Sequence, residues 1–164
     1  MPDDPVIASL LRSIDEAFDR RSWHGTNLRG AIRGMGPREA AWRPGRGRHN
    51  VWELVLHAAY WKYAVRRRLT GEKRGSFALS GSNWFPSPMR PTESEWKQAV
   101  ALLADEHRRL RDVIAGLAAA DLDRVSQGAR GSHGRLVRGI VAHDLYHAGQ
   151  IQLLKRLQPA RKAG

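Results

Sequence analysis

Ala142-His143-Asp144-Leu145-Tyr146-His147-Ala148-Gly149-Gln150-Ile151 sits inside a continuous amphipathic stretch near the C-terminus. Its two histidines are four residues apart, so a helix places them one above the other on a single face. Leu136, Ile140, His143, His147, Ile151 and Leu154 follow the three-and-four spacing of a buried seam. Buried imidazoles need compensating partners. The simplest partner for two of them is a divalent metal, whose third ligand must come from another inward-facing segment. Asp144 falls off the seam and reads as a surface group or an outer partner of the site, not as a base.

Outward from this stretch, the last helix is expected from about Arg135 to Leu157, stopping before Pro159. Three more long segments carry helical periodicity. The first runs from about Asp4 to Asp19 with Ile7, Leu10, Leu11, Ile14 and Phe18 as its stripe, and a shorter piece, Thr26 to Arg33, follows. The second long helix starts at Asn50 as N-cap, with Glu53 placed for a capping box, and ends at Gly71. The third is capped by Thr92 with Glu95, and its seam is Trp96, Val100, Leu103, His107, Leu110, Ile114 and Leu117. Arg43 to Gly47 reads as a plain loop. Gly71 to Pro91, which carries Trp84 and Phe85, and the glycine-rich Gly128 to Gly134 are the long connections. No stretch alternates as a strand does. The expectation is an all-α, four-helix bundle with long connections, formed by one domain over residues 1–164.

Composition narrows the function classes. No stretch approaches the roughly 18 apolar residues of a membrane-spanning helix, and the acidic Met1-Pro2-Asp3-Asp4 lacks the features of a secretory signal. A cytoplasmic protein with no membrane partner is expected. With no cysteine in the chain, any metal must be held by nitrogen and oxygen. The net charge of +12 invites a nucleic-acid reading. Its arginines and lysines are scattered in short groups such as Arg66/Arg67/Arg68, Arg108/Arg109/Arg111 and Arg161/Lys162, at positions predicted to face solvent or at helix C-termini. Solvated basic faces are therefore favoured over a nucleic-acid partner.

Seven histidines can be sorted by pattern. His133, in the glycine-rich loop, and His49, before a helix cap, are expected to face solvent, and nothing decides His24. His57 shares a face with Leu54, Trp61 and Val65, and His107 occupies the centre of the third seam. Spacing favours His57, His143 and His147 as a metal set over one including His107. Three neutral imidazoles leave an open coordination position for water or substrate. Gln150, one turn past His147, is placed to line the pocket or orient a ligand. Glu53 is either a capping residue or an acceptor for an imidazole N–H. Tyr60, Tyr146, Trp52 and Trp61 read as packing residues, and Trp84 on its long loop as pocket wall or packing alike. His143-Asp144-Leu145-Tyr146-His147 also resembles the zincin H-E-x-x-H. The aspartate is a methylene too short, and no third ligand follows, which argues against a protease.

Val51-Trp52-Glu53-Leu54-Val55-Leu56-His57-Ala58-Ala59-Tyr60-Trp61, joined to Ala142-His143-Asp144-Leu145-Tyr146-His147-Ala148-Gly149-Gln150-Ile151, resembles the DinB/YfiT-like metalloenzyme superfamily. Trp23-His24-Gly25, Asn83-Trp84 and Trp96 extend the resemblance along nearly the whole chain. It implies a four-helix bundle, often a homodimer, with a divalent ion (zinc, nickel or iron) on His57, His143 and His147. It further implies a small-molecule substrate and thiol S-transfer or isomerisation with a low-molecular-weight thiol of the bacillithiol or mycothiol type. A thiolate supplied by such a cofactor is consistent with a protein that lacks cysteine, and arginines at the pocket mouth would suit its carboxylates. Metal-dependent hydrolysis and a non-catalytic, metal-stabilised stress-response module are the alternatives.

Overall fold

The computed structural model describes residues 4–126 and 131–159. Part of the expected glycine-rich connection (128–130) and the basic tail at Arg161/Lys162 lie outside them. The described residues are all-helical, with one isolated bridge between Val125 and Ser132 and no strand. The order is α1 (Pro5–Phe18), α2 (Leu28–Ala31), α3 (Pro37–Ala41), α4 (Val51–Thr70), α5 (Glu93–Ala115), a 3-10 turn (Ala119–Asp123) and α6 (His133–Leu157). None of these helices is long and apolar enough to cross a membrane.

The caps follow the sequence chemistry. Asp4, Asn50 and Thr92 each accept a hydrogen bond from a backbone N–H of the first turn, and Thr92 and Glu95 complete a reciprocal box. Gly71, in the left-handed region at φ 77°, ends α4. Two elements differ from expectation. Pro37 opens the short α3, which the adjoining glycines conceal, with Glu39 reaching back to the Gly36 N–H at 2.9 Å. α6 begins at His133, two residues early, because Ser132 and not a glycine serves as its cap.

α4 packs against both α5 and α6, and α1 closes the other side against the same two helices. The apolar core falls into two clusters. One is built around Phe18, Trp52, Val55, Trp96, Leu103 and Ile151. The other is built around Ile7, Leu11, Val65, Leu110, Val137 and Ile140. Between them lie Lys62 on α4, Glu106 and His107 on α5, and Asp144 on α6, all buried. This polar layer corrects two expectations. Asp144 does not lie off the seam: it is 1 % exposed and paired with Lys62, itself 1 % exposed. Arg66 does not face solvent, because Glu106 and Glu72 hold it inside.

Candidate metal centre

His57 projects from the second turn of α4, and His143 and His147 from adjacent turns of α6. Because α4 and α6 are packed neighbours, the three rings meet between them. His143 Nε2 stands 3.2 Å from His57 Nε2 and 3.1 Å from His147 Nε2. One ligand atom from each residue lies within 4.8 Å of the others. Three ligand nitrogens around a tetrahedral ion with Zn–N distances of about 2.0–2.1 Å would stand roughly 3.3 Å apart.

The opposite ring nitrogens explain why the Nε2 atoms face inward. His57 Nδ1 donates to the Asn83 carbonyl at 2.8 Å, and His147 Nδ1 donates to Gln150 Oε1 at 2.7 Å. A carbonyl oxygen only accepts, so these bonds fix the tautomer that leaves each Nε2 as a lone pair. His143 Nδ1 is buried with no partner among the described residues. At most one proton is then left for three converging nitrogens. A cation satisfies all three lone pairs at once, and the nitrogen-only donor set suits a borderline divalent ion. Burial keeps the rings neutral. It pulls His57 down to about 4 and His143 to about 3, with the neighbouring histidines adding to the shift, and lowers His147 as well.

The Gly71–Pro91 connection supplies the outer wall. Phe85 is buried and, with Phe77, packs against Tyr60, which anchors the loop to α4. Asn83 takes a left-handed conformation at φ 66°, which turns its carbonyl onto His57 while its side-chain oxygen accepts from Trp61 Nε1 at 2.9 Å. Asparagine tolerates that region better than most residues. Trp84 lies flat between two imidazoles, 3.9 Å from the His57 ring and 3.6 Å from His49.

His49 is therefore exposed but part of the wall. Its Nδ1 donates to Glu53 Oε2 at 2.8 Å, and Arg43 clamps the same carboxylate. Glu53 does not close a capping box with Asn50, since its carboxylate is taken by Arg43 and His49; it accepts from an imidazole, though not from His57. Burial alone would raise this carboxyl, but the Arg43 and His49 hydrogen bonds outweigh it and hold it below its ordinary value.

Other expected positions fall elsewhere. His107 is buried, but it stacks on Phe18 at 3.7 Å with Asp15 at 4.0 Å and takes no part in the cluster. His133 does not face solvent: it is buried at the start of α6, with Nε2 2.7 Å from Ser126 Oγ. Tyr146 is not a packing residue of the core. It is exposed and accepts from Gln150 Nε2 at 3.2 Å, completing a relay from Tyr146 through Gln150 to His147. Trp23 and His24 lie exposed at the surface. Asp144 points into the core toward Lys62, so no carboxylate from the His143–His147 segment reaches the cluster, and the zincin arrangement is absent.

Two cavities adjoin the histidines. One, of about 260 Å³, has His143 in its wall and follows the N-terminal half of α6. The other, of about 520 Å³, is lined by His147, Gln150, His49 and Trp84 and continues past Leu153 and Leu157. A family model for the DinB superfamily matches residues 20–151. No curated protein and no solved structure matches the chain.

Proposed function

The chain belongs to the DinB superfamily, and from that premise we propose that it is a metal-dependent enzyme centred on His57, His143 and His147. The observation that carries this reading is the convergence of three Nε2 atoms, two of them fixed as lone pairs by the Nδ1 bonds to Asn83 and Gln150. A divalent ion held there by neutral ligands keeps its full charge and supplies Lewis-acid activation of a thiol or of water. Thiol S-transfer is the preferred reaction, and with no cysteine in the chain its thiol would come from a small molecule.

The residues around the centre have separable tasks. Asn83 and Gln150 orient two of the imidazoles and make them more basic ligands. Trp84 covers His57 and excludes water from that side. The Glu53–His49 pair holds an imidazole at the mouth of the larger cavity, its orientation fixed by the carboxylate behind it.

Metal analysis of protein purified without chelator tests the site. Wild type should carry about one divalent ion per chain, and His57→Ala and His143→Ala should each lose most of it. Stoichiometric metal in both variants would remove this assignment.

A further inference from the structure

The smaller cavity has a composition that metal binding does not require. Val65 and Trp61 from α4 and Leu136 and Ile140 from α6 form apolar walls, with His143 at one end. At the other end stand Arg68 and Arg135, and no acidic residue lines the space. Neither arginine forms an ion pair among the described residues, whereas Arg66, two positions before Arg68, is held by Glu72 and Glu106. The Arg68 guanidinium lies over the Trp61 ring, 5.6 Å from its centroid, so the ring that flanks the histidines also supports this cation. Gly139 completes the wall, and no atom lies within 4 Å of where a Cβ would stand.

Two unpaired guanidinium groups at the end of an apolar channel suit a planar or tetrahedral oxyanion, which each can engage through a fork of N–H donors. The channel also sets a length. Along α6, Leu136 and Arg135 lie seven and eight residues before His143, about 10–12 Å at the helical rise.

We propose that this cavity is an anion subsite of the histidine centre. It takes a slender small molecule whose head meets the histidine cluster and whose far end carries a carboxylate or a phosphate held by Arg68 and Arg135. The head-group half of this assignment rests on the metal-dependent reading above; the anion half does not.

The test uses cobalt(II)-loaded protein, read by thiolate-to-cobalt absorption, and metal-free protein, read by calorimetry. Mercaptohexanoate should bind the cobalt protein roughly tenfold more tightly than hexanethiol, the increment of a charge-assisted hydrogen-bonded pair. Arg68→Gln and Arg135→Gln should each erase most of that preference while the cobalt spectrum of the free protein stays unchanged. Gly139→Leu, which fills the channel without disturbing a packed neighbour or the helix, should weaken both thiols. Equal affinity for the two thiols, or full binding in Gly139→Leu, overturns the subsite. If no cobalt is taken up, the metal reading fails and the metal-free arm decides alone. Binding of hexanoate or of hexyl phosphate that is lost in Arg68→Gln supports the subsite and identifies its anion, and binding of neither overturns it.

Discussion

Asn83 shows how one residue outside the helices controls the centre. Its left-handed backbone delivers the carbonyl that orients His57, and its side chain ties down Trp61. Asn83→Gly keeps the backbone conformation and should retain metal affinity to within a small factor. Asn83→Val places a β-branched residue where φ is positive and should lower metal affinity by about 10-fold or more, since the carbonyl that holds His57 Nδ1 is displaced. Calorimetric titration with zinc measures both. An equal and large loss in the two variants would mean that the side chain, not the carbonyl, is what matters. The three ligands themselves were legible as residues, because inward spacing singles out His57, His143 and His147. Asn83, His49 and Lys62 were not, since their roles depend on which loop or helix lies opposite.

At the scale of elements, α4 and α6 must keep one rotational setting for their histidines to meet. The buried Lys62–Asp144 pair joins these helices within about one and a half turns of the ligands. Complete burial raises the Asp144 carboxyl even against the attraction of Lys62. Lys62→Ala or Asp144→Ala leaves its partner uncompensated and should destabilise the protein by about 3–5 kcal/mol in denaturant unfolding. The double variant Lys62→Met/Asp144→Leu should recover most of that loss, as apolar replacements of buried pairs often do. Failure to recover would show that the pair is worth more than a hydrophobic contact of its size. Helix periodicity and caps located all four long helices from sequence. A stripe through Leu136 and Leu154 puts Asp144 outside, whereas the buried face runs through Val137, Ile140, Asp144 and Ala148. Periodicity gives a face to within about one position, and one position separates a surface carboxylate from a core one.

For the whole molecule, the buried histidines predict acid sensitivity with a definite sign. Burial, reinforced by Lys62 and Arg111, pulls His107 down to about 2, below the about 4 and about 3 of His57 and His143. Above pH about 6.5 all are neutral in both states, so stability is complete. Below that value the unfolded chain takes up protons that the folded one refuses, and each such histidine costs about 1.4 kcal/mol per pH unit until its folded pKa is reached. Unfolding of metal-free protein between pH 7 and 5 should show this decline, and His107→Asn should make it shallower by about one histidine's share. An unchanged slope would place the acid sensitivity elsewhere. Ion pairing ties distant parts of the chain together, with Arg43, Arg66 and Arg111 each bound to a carboxylate on another element or loop, but such neutral pairs leave the +12 excess of cations untouched. The sandwich at Trp84 has an optical consequence. An indole in van der Waals contact with His57 feels any change in that ring's charge, so the state of the centre is written into the protein's own fluorescence. Emission should shift as zinc is added and lose most of that shift in Trp84→Phe, which would make the chain its own indicator of whether the centre is loaded.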